Sequence, residues 1–465
     1  MPLSIITQTA ECKIDATKFS DLITYLAEKG YQALLSEAKG KFLAVLVGVG
    51  SGKMVETESE QDEYYMYRSI VSARRRRHPI AGDIFIDSKN SGVLYLAFFG
   101  DDRIIAAPRR EKPTARQLDV GFVGSGPGDE ALRRFVGAVS SWLDQRKINA
   151  RFVRAQPQNA QFGDLSSGKE ATFTAGTAIT EPEIATAEIL CDANTRALGI
   201  LIKRSGGILE GDIRKKGNSD APTVEHSLVA LQKSALLSQE YVVICKQSQK
   251  QVNRVDQESK IKQMGDMGVL CSCGNSIASE RIEELFLPST LLKKMLDQSY
   301  WMSAHLIAVL QRLGVGKESI LLNLQEGAEE IDAFVDLDGT LLMFELKDNE
   351  FSMGHAYPFG GRIGLYKPKF AFIVGTRGIA PDVKQYFGRV KPDAQLVYVG
   401  NLSELAGKIG SVIEKVRLER AEEIISQFEG LAEMRTRLFD LLTERLKLKG
   451  EVGGSPRPEL VEKIS

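Results

Sequence analysis

EEIDAFVDLDGTLLMFELKDNE, residues 329–350, decides how the C-terminal half of the chain folds. Ile331, Ala333 and Val335 alternate with Asp332, Phe334 and Asp336, the period-2 pattern of a strand. Asp338-Gly339 then supplies a two-residue hairpin turn, and residues 340–346 are apolar enough for a core strand. That second strand ends in Glu345-Leu346-Lys347, which puts an acid and a base on one face. Asp332 is expected to face Glu345 across the hairpin. Two carboxylates so placed suit a hard divalent cation, with an ammonium set beside a nucleophilic water. A carboxylate and an ammonium closing an apolar strand are costly without partners or a metal, which weighs against an ordinary solvent-facing hairpin.

An Asp, a spacer of this length, then Glu-x-Lys resembles the signature of the PD-(D/E)XK (restriction-endonuclease-like) nuclease superfamily. The resemblance covers residues 290–400, and the order of elements agrees with it. A helix over 300–313 stops at Gly314, a strand follows at 319–323, and then comes the hairpin. The resemblance implies a metal-dependent endonuclease in which Asp332, Glu345 and the Leu346 main-chain carbonyl hold Mg²⁺ or Mn²⁺. Lys347 then positions or deprotonates the attacking water. It further implies DNA rather than RNA as substrate, and a basic or polar residue after the motif that meets the scissile phosphate. Arg362 fits that role, with Tyr357 and His355 behind it. Many members carry a metal-binding Glu on the first helix; here that helix has none, and His305 takes the inner position as a packed or hydrogen-bonded residue. Glu330, on the Asp332 face, is the substitute carboxylate. Strands at 370–375 and 395–399 complete the core.

The 465 residues exceed what one hydrophobic core accommodates, so the expected class is an α/β multidomain protein. Residues 1–155 read as an N-terminal α/β domain of unassigned role, with helices at 18–29 and 129–145 and strands at 41–48, 84–86 and 92–99. Gly48–Lys53 is one residue short of a phosphate loop, and Met54 stands where Ser or Thr would bind Mg²⁺. The glycines of 121–128 read as a plain loop rather than an anion cradle. Basic runs at 74–77 and 109–113 are surface, with phosphate contact as the alternative.

Polar, Gly/Ser-rich residues 156–178 read as a linker. Residues 179–288 read as a winged-helix-like region: helices at 181 onward and 223–237, then a hairpin, 241–245 and 251–255, turning at 246–250. Residues 203–262 hold eleven Lys/Arg against seven Asp/Glu, so Lys246, Lys250 and Arg254 are the candidate nucleic-acid contacts. Cys271-Ser-Cys273, with Cys245 upstream, reads as a degenerate zinc-ribbon remnant. A fourth ligand would have to be Cys191 or His226, so no zinc is expected. Ser279 is expected to open a helix. A long terminal amphipathic helix, 401–449, carries Ile424, Phe428, Leu431, Leu438 and Leu442, a stripe for the nuclease core, a second copy or another protein; 450–465 is expected to be disordered.

With 43% hydrophobic and 26% charged residues and net charge −1, any nucleic-acid surface must come from local charge segregation. Five cysteines make no disulfide framework, no run is long enough to span a membrane, and no signal pattern opens the chain, so a cytoplasmic location is expected. An anti-phage defence role would suit a nuclease of this domain order. Two rivals to the nuclease reading remain open. One is a catalytically inactive nuclease fold binding nucleic acid as an adaptor. The other is an effector nuclease gated by a small nucleotide bound to the N-terminal domain.

Overall fold

The structure, a computed structural model, describes residues 3–38, 79–100, 114–126, 128–155, 157–167, 171–216, 221–326, 329–432 and 438–446. The strand expected at 41–48, the 48–53 stretch, the two basic runs and the 450–465 tail lie outside them. The protein is a mixed α/β chain of two compact units, Met1–Pro157 with Val412–Ser465, and Gln158–Ser411.

In the first unit β1 (Ser4–Asp15), β2 (Ala81–Asp87), β3 (Gly92–Phe99), β4 (Thr114–Gly124) and β5 (Val153–Ala155) form an antiparallel sheet in the order β2-β3-β4-β1-β5. β3 is buried along its whole length, and its alternation explains why. Leu94, Leu96 and Phe98 face a core shared with helices Phe19–Glu28 and Asp129–Gln145. Val93, Tyr95, Ala97 and Phe99 face the other way, into a core with Ile424, Phe428, Leu438 and Leu442. A strand covered on both faces needs no polar alternation. The terminal stripe therefore packs on the chain's own first sheet rather than on the C-terminal core. Tyr95 and Phe428 meet edge to face with ring centroids 6.0 Å apart. The expected long helix is Leu402–Ser426, followed by Glu429–Ala432 and Leu438–Leu446. The glycines near 121–128 answer to packing: a Cβ on Gly121 would fall 2.4 Å from the Tyr95 ring, and one on Gly128 2.0 Å from Phe122.

The second unit begins where a linker was expected. Ala160–Ser167 is a helix, and β6 (Ala171–Ala175) pairs with strand Ile320–Glu326 of the larger sheet. Asn159 donates its N–H to Asp336 Oδ2 at 2.9 Å, tying this segment to the hairpin turn. Polar composition misleads here because β6 is an edge strand, where half of each pleat meets water. Next come β7 (Ile208–Leu209), β8 (Leu237–Ile244), β9 (Gln251–Val255) and β10 (Arg281–Pro288), in the sheet order β7-β10-β8-β9. Helices Ala193–Ser205, Glu210–Lys216 and Ala221–Lys233 precede β8. The hairpin of β8 and β9 falls where expected. Residues 281–288 are a strand rather than the expected helix, because eight consecutive residues find β8 as a partner; Ser279 instead ends a single 3₁₀ turn.

The larger sheet joins β6 to β11 (Ile320–Glu326), β12 (Glu329–Leu337), β13 (Thr340–Lys347), β14 (Phe370–Gly375) and β15 (Gln395–Val399), in the order β15-β14-β13-β12-β11-β6. β13 lies in its middle, antiparallel to β12 and parallel to β14. Asp338 and Gly339 take φ of +51° and +83°, the left-handed pair that a two-residue turn needs. Helix Met353–Tyr366 packs its Ala356, Phe359 and Ile363 with Leu341 and Met343 of β13. Glu345 and Lys347 continue that face beyond Met343.

Candidate active site

The β12–β13 ladder runs from Leu337/Thr340 to Ala333/Phe344 and stops one step before Asp332 and Glu345. There the Asp332 side chain replaces its backbone, and Oδ2 accepts the Leu346 N–H at 2.6 Å. The same oxygen meets Lys347 Nζ at 3.1 Å, and that ammonium also meets Glu345 Oε1 at 2.9 Å. One cation thus holds both carboxylates. From helix Met353–Tyr366, Arg362 reaches Glu345 Oε2 at 3.3 Å. The structure therefore brings Asp332, Glu345, Lys347 and Arg362 together.

Glu345 is buried, with only 4% of its surface exposed. Burial, then the charge of Asp332, push its carboxyl up to about 7, with Lys347 and Arg362 pulling the other way. Burial works against the Lys347 ammonium, but Asp332 and Glu345 outweigh it and hold its pKa above the ordinary 10.5. In the metal-free protein the two carboxylates thus favour the charged form of Lys347.

The remaining expected residues fall elsewhere. Glu330 is exposed and, among the described residues, does not join Asp332 and Glu345 within mutual ligand reach. Tyr357 is 60% exposed and packs edge to face on Tyr386, outside the cluster. His305 is buried, and its Nδ1 lies 3.2 Å from Cys191 Sγ. It is the packed, hydrogen-bonded residue expected, and Cys191 is thereby committed away from the other cysteines. Arg254 pairs with Glu240. Lys246 donates its Nζ to the Ser279 carbonyl at 2.6 Å, so it anchors a loop, while Lys250 is exposed.

Two neighbours, Asp348 and the expected His355, complete the surroundings. Asp348, next to the motif, takes Arg196 Nε at 3.1 Å, Trp301 Nε1 at 3.2 Å and Thr376 Oγ1 at 3.0 Å. It is thus not a partner for Lys347. His355 accepts the Ser352 N–H on Nδ1 at 3.1 Å, which leaves the proton of the neutral ring on Nε2. Burial, then the Lys347 charge, hold its pKa below the ordinary 6.5.

No family model matches the chain, and no curated protein does. Among solved structures it is similar to protein VC1899 from Vibrio cholerae, at 10% identity and a TM-score of 0.34, over 57% of this chain and 63% of that one. The chain thus spans less than two thirds of that protein's length. No helix among the described residues is long and apolar enough to cross a membrane.

Proposed function

We propose that the protein is a metal-dependent nuclease whose active site lies at the end of β13. One observation carries this reading: a single ammonium, Lys347, bridges Asp332 and Glu345 where the hairpin ladder opens. The donor set suits Mg²⁺ or Mn²⁺, being two hard carboxylates side by side, with burial and the Asp332 charge both opposing ionisation of Glu345. Asp332 and Glu345 would hold the ion, with the Leu346 carbonyl as the third protein ligand. When bound, the ion supplies Lewis-acid polarisation of a phosphodiester and a more acidic water. The chain's own part is electrostatic. Lys347 positions or deprotonates the attacking water and offsets charge that builds on the phosphoryl oxygens. Arg362 offers a second cation, able to pass from Glu345 to a phosphate oxygen once the carboxylate binds metal.

Helices Ala193–Ser205, Glu210–Lys216 and Ala221–Lys233, with β10 lying between β7 and β8, support reading this region as a winged helix that presents the nucleic acid. DNA is proposed over RNA on the superfamily resemblance.

A second reading, an inactive adaptor, is favoured by Asp332 Oδ2 being taken by Leu346 N–H and Lys347, with Glu330 out of reach. The test incubates the full chain with plasmid, linear DNA and RNA in Mg²⁺, Mn²⁺ or chelator. Metal-dependent cleavage that Lys347→Ala abolishes, at unchanged nucleic-acid affinity, supports the nuclease. Tight binding without cleavage in any metal, identical in Lys347→Ala, supports the adaptor. Cleavage only with a small nucleotide present would add the gating expected of an effector.

A further inference from the structure

Three cysteines and a glutamate converge far along the chain from the carboxylate site. The thiol sulfurs of Cys245, Cys271 and Cys273 and a carboxylate oxygen of Glu280 all lie within 4.8 Å of one another. Cys245, Cys271 and Glu280 are buried, at 0%, 4% and 5% exposure.

We propose that Cys245, Cys271, Cys273 and Glu280 form a structural zinc site that clamps the 256–280 insertion onto the β8–β9 hairpin. Two tight turns point the sulfurs inward. In the first, Cys245 donates its N–H to the Lys250 carbonyl at 2.9 Å, and its own carbonyl accepts from Gln249 N at 2.8 Å. The Ser248 N–H meanwhile points at Cys245 Sγ from 3.3 Å. In the second, the Cys271 N–H bonds the Asn275 carbonyl and Gly274 N–H bonds the Cys271 carbonyl, each at 2.8 Å. Gly274 holds φ at +89°, a value few other residues accept, and this is what returns the chain after Cys273. An amide donor on a cysteine sulfur stabilises the thiolate, which is the form that binds metal.

Glu280 is the member that spacing alone does not reveal. The expectation of no zinc rests on the want of a fourth ligand beside the three cysteines, and Glu280 fills that place. Its Oε2 accepts the Lys246 N–H at 2.6 Å, which fixes the carboxylate, and its Oε1 takes the Cys273 S–H at 2.9 Å. That thiol proton occupies the place a cation would take. Three thiolates and one carboxylate make a closed tetrahedral set with no open position, which fits a structural rather than a catalytic ion.

The insertion also needs such a clamp. Helix Glu258–Asp266 and the loop after it rest on a small core of Val243, Val255, Ile261 and Ile277. With only four buried side chains, and Tyr241, Val252, Met264 and Ile282 half-buried around them, this core is small, and a metal crosslink is the usual supplement to a small core.

The test starts from the full-length protein, purified without added chelator and dialysed. Elemental analysis should give about one zinc per chain. Cobalt(II) added to the metal-free protein should produce thiolate-to-cobalt charge-transfer absorption and tetrahedral ligand-field bands. Cys271→Ser and Cys273→Ser should each lower zinc content at least about tenfold, whereas Cys12→Ser and Cys191→Ser keep it at one. Glu280→Cys should retain the metal, which keeps the test decisive if the serine variants fold poorly. Wild-type protein that holds no zinc and gives no cobalt bands overturns the proposal. So does zinc content unchanged in Cys271→Ser and Cys273→Ser, or a disulfide among the three cysteines in place of metal.

Discussion

Replacing Glu345 by glutamine should stabilise the metal-free protein. Glu345 titrates near 4.5 in an unfolded chain and at about 7 in the fold, because burial and Asp332 oppose its charge. A folded-state pKa raised above the unfolded one means that the native protein holds this proton more tightly. The stabilisation is complete below pH 4.5 and is lost as pH rises through about 7. Above that pH the ionised carboxylate costs roughly 3 kcal/mol, at 1.36 kcal/mol for each tenfold change in proton affinity. The glutamine amide stays neutral and its single oxygen still accepts from Lys347, so it escapes this cost. In metal-free buffer Glu345→Gln should match wild type near pH 4.5 and exceed it by about 2–3 kcal/mol at pH 8. In melting temperature that is about 5–10 °C, at 2–4 °C per kcal/mol for a unit of this size. Saturating Mg²⁺ should then raise wild type alone, by about 2.7 kcal/mol at a hundred times the dissociation constant. The measurement is thermal unfolding from pH 4.5 to 8, with and without Mg²⁺. A variant less stable than wild type at pH 8 without metal would refute the reasoning. The contacts to Lys347 and Arg362 would then be an ordinary stabilising network that wants no further cation.

Lys347→Ala should lower stability at pH 8 by about 1–3 kcal/mol, since Asp332 and Glu345 lose their shared cation, and Mg²⁺ should restore most of it; chemical denaturation with and without Mg²⁺ measures both. Burial holds the His305 imidazole below its ordinary 6.5, so the unfolded chain binds a proton that the fold refuses. The His305 contribution to stability should therefore fall as pH drops below about 6.5, against the opposite trend of Glu345, and His305→Leu should remove that contribution from a urea-midpoint profile between pH 5 and 8. Gly121→Ala should cost about 1–3 kcal/mol in thermal unfolding, because its Cβ would lie 2.4 Å from the Tyr95 ring and 2.5 Å from the Ile6 carbonyl. Relief by a second change, Tyr95→Phe, should be small, since the ring carbon is as close as the hydroxyl.

How much the sequence discloses depends on how far apart the deciding residues lie. The β12–β13 hairpin rests on alternation and a two-residue turn within one short stretch, and both are local. Asp332, Glu345 and Lys347 are brought together by that hairpin alone, so the cluster is legible in the sequence itself. Arg362 is legible one step further, because a strand followed directly by a helix returns over the same face. β6 is hidden because an edge strand with one partner does not need an apolar pattern, so its composition matches a linker. The 281–288 segment escapes for a related reason: a capping-type Ser279 is a weak local preference, and eight residues of pairing with β8 outweigh it. The terminal stripe is legible as a stripe but its destination is not, since amphipathicity names a face and not the face that meets it. The sulfur cluster shows the limit most plainly. Cys271 and Cys273 suggest one half of a metal site, but the ligand that closes it is a glutamate with no motif of its own. Glu280 joins only because the β8–β10 pairing carries the end of one strand to the start of the other, where Arg281 faces Ile244 beside Cys245. Thiolate spacing along a chain identifies ligands only when the turns that bear them are local; here a sheet register supplies the fourth.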